Sequence, residues 1–308
     1  MIKRMVKIII SILIFGLFSS MEGQELALFD ENRAFGYLEV QCSFGPRVPG
    51  TSGHKKGLKH IIETVEPLAD STIRQSFSYS DPYTGKLYNL TNVIARFKPF
   101  LKERIWLAAH WDSRPWADRD SNPNNRLKPI LGANDGASGV AVLLEIANQL
   151  SLKAPPIGVD LVFLDGEDMG KSGDIRRFFN GSRYLAKNIP PPLPQYCILI
   201  DMIGDKDLQL PIEGNSMNQA PDLVEQLWNE AEELGLDEFK DEIAYFVEDD
   251  HVVLFQIGGI PSIDIIDFDY GPKPINYWHT LEDTPDKCSP RSLGVVGNLL
   301  LYHISNRN

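Results

Sequence analysis

Six residues with metal-binding or acid–base chemistry stand at or near the ends of apolar runs in this chain. They are His110, Asp135, Glu167, Asp168, Asp201 and His279. Glu167 and Asp168 are neighbours after the apolar run 159–164, and adjacent carboxylates repel each other unless a cation or a proton lies between them. Imidazole and carboxylate ligands without cysteine favour zinc, and a further acid beside the metal can act as a general base. The pattern therefore predicts a zinc enzyme.

Each of these residues, taken alone, also has a simpler structural explanation. A histidine at a strand end is often only hydrogen-bonded, and Asp135, just before a predicted helix, could be its N-cap. The Glu167–Asp168 pair could lie in a solvated loop. Asp201 is harder to explain in this way, because it lies inside the apolar run 198–203, where an unpaired charge is costly. A shared metal site explains the whole set better than separate structural roles.

The elements that must position these residues alternate along the chain between apolar, β-branched runs and amphipathic stretches. This alternation predicts an α/β sheet with helices on both faces, a three-layer sandwich. The predicted strands are residues 92–97, 105–109, 159–164, 197–203 and 262–266, and the predicted helices are residues 32–44, 53–68, 139–150, 182–187, 222–234 and 291–305.

Three stretches rich in turn-forming residues are predicted to be loops: residues 113–130, 170–179 and 270–277. A long loop inside a compact domain is usually functional. In open α/β sheets, ligands bind beside the loops at the carboxyl ends of the strands. The sequence therefore predicts that these loops border the site.

The first 23 residues have the pattern of a secretory signal peptide. Lys3, Arg4 and Lys7 precede the apolar stretch 8–18, which is followed by the small residues Ser19 and Ser20. We therefore expect one catalytic domain over residues 24–308, exported to the periplasm, the cell surface or the medium, with no stable membrane anchor after cleavage.

The charge and the cysteine content narrow the expected partners. The formal net charge of −12 argues against nucleic acid or an anionic membrane as a partner. Three cysteines, Cys42, Cys197 and Cys288, are too few for a disulfide framework. One bridge is compatible with an oxidising compartment, but the sequence does not choose the pair.

Several motifs together resemble the zinc aminopeptidase and glutaminyl cyclase superfamily, and the bacterial type of glutaminyl-peptide cyclotransferase in particular. They are His110-Trp111-Asp112-Ser113, residues 132–139, residues 165–168, Asp201 and Trp278-His279-Thr280. The resemblance covers nearly all of the chain after residue 44. It implies a single-domain α/β fold with a central mixed, mostly parallel sheet and with zinc at the carboxyl edge of the strands.

The resemblance also implies roles for individual positions. Asp135, Asp168 and His279 match the zinc ligands of the cyclases, and Glu167 matches the carboxylate that transfers protons. Asp201 and Asp249 match two acids of its hydrogen-bond network, and Trp278 matches an aromatic wall of the substrate pocket. In dinuclear aminopeptidases the positions of His110 and Asp201 hold a second zinc, with Asp135 bridging. One zinc is expected, and a second remains open.

Three features favour a cyclase over a dinuclear zinc aminopeptidase. A cyclase converts the N-terminal glutamine of peptides and proteins to pyroglutamate and releases ammonia. Aminopeptidases commonly carry a small hydroxyl residue at the position of Asp249. Trp278 directly precedes the predicted ligand His279, and the Arg-Pro-Trp-Ala-Asp run in loop 113–129 resembles bacterial cyclases. Trp278 could instead be an ordinary core residue, and Asp249 could simply precede a helix that starts near His251. A binding module without activity is a third, less supported interpretation.

The chain departs from the family pattern in three places. Asp168 stands where many members have glutamate. The animal cyclases carry a tryptophan after the acid pair, whereas residues 170–180 contain none, so Phe178 or Phe179 is expected to form that wall. The cysteines of this chain do not match the disulfide that the animal enzymes have near the site.

Overall fold

The computed structural model describes residues 29–307. The helices of this part are α1 Glu31–Ser43, α2 Ser52–Val65, α3 Ala137–Leu152, α4 Asn180–Lys187, α5 Gly214–Gln219, α6 Pro221–Glu233, α7 Asp250–Gly258 and α8 Pro290–Ser305. The strands are β1 Ser71–Ser80, β2 Leu87–Phe97, β3 Arg104–His110, β4 Gly158–Leu164, β5 Cys197–Asp201, β6 Leu210–Glu213, β7 Phe239–Tyr245 and β8 Ser262–Ile266. The predicted signal segment, residues 1–23, lies outside the described residues.

A six-stranded sheet forms the centre, in the order β1-β2-β4-β3-β5-β8. β4, β3, β5 and β8 run parallel, whereas β2 pairs antiparallel with both β1 and β4. The sheet is therefore mixed and mostly parallel, as predicted. β6 and β7 form a separate two-stranded parallel pair.

Helices cover both faces of the sheet, and the alternation of side chains along β3 shows how. Ile105, Leu107 and Ala109 face the larger apolar core with α1, α2, α3, α6 and α8. Trp106 and Ala108 face the opposite core with α4 and α7. Since both faces of a parallel strand are buried, its sequence is an unbroken apolar run. This is the three-layer α/β/α arrangement that the sequence predicted.

The predicted elements are present with their ends shifted by at most three residues, except that β2 begins five residues earlier than predicted, at Leu87. The elements that were not predicted are β1, β6, β7, α5 and α7. β1 and β7 are rich in polar residues and mostly exposed or half-buried, and β6 has only four residues and contains a proline. The β-branched pair Val252-Val253 makes α7 hard to distinguish from a strand by pattern. β1 and β7 lack the buried apolar run from which the central strands were identified, and β6 is too short to show one. α7 has a buried apolar stretch, but its pattern does not distinguish a helix from a strand.

Two further features concern the cysteines and the membrane. All three cysteines are buried with free thiols. Within residues 29–307, no helix is both long and apolar enough to cross a membrane.

Candidate active site and metal centre

The predicted site residues lie together at the carboxyl edge of the central sheet. His110 is the last residue of β3 and Asp201 the last of β5, while Glu167 and Asp168 lie in the turn after β4. β4, β3 and β5 are neighbours in the sheet and run parallel, so the residues at their carboxyl ends lie close together. Asp135 precedes α3, and His279 comes from the loop after β8.

Two overlapping groups of three side chains have ligand atoms close enough to hold a metal ion. One consists of Asp135, Asp168 and His279, and the other of His110, Asp135 and Asp201. In the first group, His279 Nε2 lies 3.5 Å from Asp135 Oδ2 and 3.6 Å from Asp168 Oδ2. In the second, His110 Nε2 lies 3.2 Å from Asp135 Oδ1 and 3.2 Å from Asp201 Oδ1. Asp135 thus offers one oxygen to each group.

Several of these ligand atoms are buried and form no hydrogen bond within the protein. They are both ring nitrogens of His110, Oδ2 of Asp135 and Oδ2 of Asp168. Unpartnered buried polar atoms are costly, and a bound cation removes that cost. Histidine nitrogen with carboxylate oxygen is a donor set that suits zinc. The residues present therefore fit a divalent metal.

Asp112 holds the acid pair in place through the backbone. Its Oδ1 accepts the amide N–H of Glu167 at 3.0 Å, and its Oδ2 accepts that of Asp168 at 3.3 Å. Gly166 precedes the pair with φ of +72°, a conformation that glycine adopts without strain. The turn after β4 therefore points the two neighbouring carboxylates in fixed directions, which lets them take different roles.

Asp135 is also held by its backbone, and it does not cap α3. Asp283 accepts the amide N–H of Asn134 at 2.8 Å and that of Asp135 at 3.3 Å. The N-cap position of α3 is Gly136, without a side-chain cap, so the alternative explanation of Asp135 as an N-cap is wrong. A Cβ on Gly136 would lie 2.6 Å from Asp112 O and 2.9 Å from His110 Cε1. Only glycine allows this close approach.

The backbone at two site residues has a left-handed conformation that non-glycine residues seldom adopt. His279 has φ of +57°, and Met202, directly after Asp201, has φ of +48°. Such a conformation costs about 1–3 kcal/mol and persists only where the surroundings hold it. Strained residues of this kind cluster at functional sites.

A cleft of about 340 Å³ opens beside these side chains. Its polar wall contains Glu167, Asp168, Asp201, Asp249 and His279, and its aromatic wall contains Phe178, Phe179, Phe268 and Trp278. Trp278 is half-buried and stacks on His279 with ring centroids 3.9 Å apart, so it is a pocket wall and not a core residue. The cleft is near the lower end of the range for ligand sites, about 300–1,000 Å³, which suits a small substrate group.

Crowding of negative charge alters the proton affinities in this cleft. Burial, then the charge of Asp168, raises the pKa of Glu167, and Asp249 adds to the effect. Burial, then the charge of Asp201, raises the pKa of Asp249. For His110, burial opposes protonation, but the charge of Asp201 and the hydrogen bonds with Asp112, Asp135 and Asp201 together outweigh it and raise the pKa. Such carboxyl groups hold protons at higher pH than ordinary acids do.

Asp249 has a structural role as well as its place in the cleft. It precedes α7 as the N-cap, and its side chain accepts the amide N–H of Asp250. α7 begins at Asp250, one residue before His251, where the sequence suggested a helix start. Because the same side chain lines the cleft, the two interpretations of Asp249 are compatible.

Sequence reasoning gave no role to four residues that hold the site together: Asp112, Arg114, Asp118 and Asp283. Two of them, Arg114 and Asp118, belong to the Arg-Pro-Trp-Ala-Asp run, whose composition was recognised but whose contacts were not. Asp112 belongs to the motif that begins at His110. Asp283 had no signal in the sequence.

The sequence profile of peptidase family M28 matches residues 92–304. Among curated proteins, a glutaminyl-peptide cyclotransferase of Bos taurus is 25% identical over 291 residues, which cover 82% of this chain and 76% of the relative.

Solved structures of two kinds are equally similar. A glutaminyl cyclase of Bacteroides thetaiotaomicron bound to N-acetylhistamine has a TM-score of 0.87 and 36% identity, covering 92% of this chain and 100% of that one. A leucine aminopeptidase precursor of the same species also has a TM-score of 0.87 and 36% identity, covering 91% of this chain and 98% of that one.

Proposed function

The chain belongs to peptidase family M28, and from that premise we propose that it is a zinc-dependent glutaminyl cyclase. It converts the N-terminal glutamine of peptides and proteins to pyroglutamate and releases ammonia. Its similarity to named cyclases of animal and bacterial origin supports this activity. Since a leucine aminopeptidase precursor is equally similar, the choice depends on the residues of the cleft.

The observation that favours cyclisation is the place of Asp249. Its carboxylate lines the same cleft as Glu167 and Asp201. Burial and then Asp201 raise the pKa of Asp249, and Asp249 adds to the rise in the pKa of Glu167 that burial and Asp168 cause. Cyclisation moves a proton from one nitrogen of the substrate to another and needs no activated water. A group of acids that hold and share protons suits this transfer better than it suits hydrolysis.

Asp135, Asp168 and His279 are the residues proposed to hold the zinc. When bound, zinc supplies a Lewis acid that polarises the γ-carbonyl oxygen of the glutamine. Glu167 accepts a proton from the α-amine as the nitrogen bonds to Cδ, the carbon of the side-chain carboxamide. Glu167 then returns that proton to the amide nitrogen as the old carbon–nitrogen bond breaks, so that ammonia leaves and the carboxylate of Glu167 is regenerated.

The proposed supporting roles follow from position. Burial, Asp168 and then Asp249 raise the pKa of Glu167, which suits an acid that must give back a proton, and Asp201 lines the same cleft beside them. Trp278 offers a flat wall for the glutaminyl side chain, and Phe178 and Phe179 complete the wall that a tryptophan forms in animal cyclases. A compact aromatic cleft brings the amine close to the carbonyl and excludes water.

The test is to incubate purified protein with two peptides that differ only in an N-terminal glutamine or leucine. We expect ammonia and a pyroglutamyl product from the first, no free amino acid from either, and loss of activity with a chelator that zinc restores. Release of free leucine without ammonia would assign the protein to the aminopeptidases instead.

The second candidate function, a dinuclear zinc aminopeptidase, is favoured by the group of His110, Asp135 and Asp201, which could hold another zinc. The bridging position of Asp135 between the two groups supports that arrangement. Zinc content measured on the same preparation separates the two: one zinc per chain with ammonia release supports the cyclase, and two with leucine release support the peptidase.

We further propose that residues 1–23 are a signal peptide and that residues 24–308 are the exported catalytic domain. The basic residues and the apolar stretch of that segment support the proposal. The N-terminal sequence of the protein recovered outside the cytoplasm tests it. A full-length chain retained inside the cell would contradict it.

A further inference from the structure

The Arg-Pro-Trp-Ala-Asp run of residues 114–118 contains a buried cation whose contacts lead to two of the candidate metal ligands. The side chain of Arg114 is 1% exposed, although its guanidinium is always charged. Nη1 donates to Asp168 Oδ1 at 2.6 Å. Nε and Nη2 donate to the two oxygens of Asp118 at 2.9 Å and 2.7 Å. The fork of the guanidinium therefore fixes the plane of one carboxylate and ties it to the second.

Asp118 extends this chain of contacts to His279. Its Oδ1 lies 3.5 Å from His279 Nδ1, the ring nitrogen that faces away from Asp135 and Asp168. The next residue of the loop also holds His279, because the amide N–H of Arg119 donates to the carbonyl oxygen of His279 at 3.1 Å. Carboxylates that contact the outer nitrogen of a ligating histidine fix its tautomer and orientation.

These contacts leave one free ligand atom on each residue. With Oδ1 of Asp168 hydrogen-bonded to Arg114, Oδ2 is buried without a hydrogen-bond partner. With Nδ1 of His279 facing Asp118, Nε2 lies 3.6 Å from that free oxygen. Aspartate is one methylene shorter than glutamate, so the carboxylate of Asp168 has less reach and gains from a partner that fixes it.

We propose that Arg114 and Asp118 form a positioning pair for metal binding, which restricts Asp168 to its Oδ2 and His279 to its Nε2. Neither residue of the pair contacts the metal. The inference rests on the proposed zinc site of the cyclase, but it concerns binding of the metal and not turnover. Its magnitude follows from the behaviour of such outer contacts, whose loss lowers metal affinity by about 10- to 100-fold.

The experiment measures the dissociation constant of zinc by competition with a chromogenic chelator, using metal-free wild type and variants. Arg114→Met and Asp118→Asn should each raise the constant about 10- to 100-fold. Arg114→Lys keeps the charge near Asp168 but cannot form the fork to Asp118, so its constant should lie between that of Arg114→Met and wild type. The double variant Arg114→Met/Asp118→Asn should be little worse than the weaker-binding single variant, because the two residues act as a unit.

The matched control is Arg126→Met, which removes the same charge from the same loop. Arg126 is exposed, and its Nε donates to the backbone oxygen of Asp120. The Arg126→Met variant should bind zinc as tightly as wild type does. Circular dichroism at the temperature of the titration establishes that every variant compared is folded. If Arg114→Met does not fold, Asp118→Asn and Arg114→Lys, which keep similar side-chain sizes, still test the proposal.

Folded variants of Arg114 and Asp118 that bind zinc as tightly as wild type would overturn the proposal, as would an equal loss in Arg126→Met. A wild-type protein that binds no zinc overturns it as well. If wild type binds zinc, the variants bind it weakly and no Gln-peptide is cyclised, the positioning pair is supported and the proposed function alone fails.

Discussion

The role assigned to Glu167 can be tested by the change of one atom, in the variant Glu167→Gln. Glutamine has the same size and keeps the amide N–H that donates to Asp112, so the turn after β4 should keep its shape. Glu167 is not one of the three proposed zinc ligands, so zinc content should not change. The variant removes only the ability to accept and return a proton.

Glu167→Gln should lose much of its activity, whereas its stability should stay the same or rise slightly. Positioned acid–base groups contribute about 10²- to 10⁴-fold in rate, which corresponds to roughly 3–5 kcal/mol of transition-state stabilisation. The raised pKa of Glu167, caused by burial and then by Asp168, shows that its charge is unfavourable where it stands. A neutral glutamine should therefore leave the free energy of unfolding unchanged or slightly higher.

The assay is kcat/KM for ammonia release from a Gln-peptide, with zinc content and the urea midpoint measured on the same sample. The matched control is Glu248→Gln, the same change at an exposed carboxylate of the same cleft. It should keep nearly full activity. Glu167→Gln with activity within about ten-fold of wild type would refute the assignment of Glu167 as the proton carrier. An equal loss in Glu248→Gln would show instead that the charge of the cleft matters.

Substitutions at three further positions test the aromatic wall and a buried carboxylate. Trp278→Ala should raise KM for Gln-peptides about two- to ten-fold by removing an aromatic contact, and Trp278→Phe should recover part of this loss; unchanged kinetics in both would contradict the pocket wall. A Cβ on Gly170 would lie 1.9 Å from Phe178 Cδ2, so Gly170→Ala should displace that ring and change KM with little change in the urea midpoint; an unchanged KM would place Phe178 outside the substrate site. Burial opposes ionisation of Glu213, but the hydrogen bond and charge of His251, together with the amide N–H groups of Asn215 and Val247, outweigh burial and lower the pKa of Glu213 from 4.5 to about 2. The stabilisation from this carboxylate is complete above pH 4.5 and is lost as the pH falls toward about 2. Urea midpoints across that range should therefore fall less steeply in Glu213→Gln than in wild type, and identical slopes would contradict the shift.

The central strands could be predicted because burial on both faces leaves a local signal. β3, β4 and β8 appear in the sequence as apolar runs, and the structure places their ends within one or two residues of the predicted ones. β1 and β7 could not be predicted in this way, because their exposed or half-buried side chains carry no such run. Their pairing depends on neighbours that are distant in the sequence.

The candidate ligands were predictable for a similar reason. A polar residue that follows an apolar strand lies near the edge of the sheet, so His110, after the predicted strand 105–109, and Asp168, in the turn after the predicted strand 159–164, could be assigned to one edge from their positions. Asp201 lies inside the predicted strand 197–203, and only the structure ends β5 at this residue. The roles that distinguish a cyclase came from resemblance and not from spacing. The position of Asp135 was predicted, but only the contact of Asp283 with its backbone shows how it is held.

The sequence by itself determined the types of the site residues and the strand ends that carry them, because hydrophobic patterning is a local property of the chain. Only the tertiary structure decided which atom of each residue remains free. Arg114 takes Oδ1 of Asp168 and leaves Oδ2, and Asp118 faces Nδ1 of His279 and leaves Nε2. These choices join loops that are far apart in the sequence. They follow from the packing of the whole fold, which no local pattern of residues records.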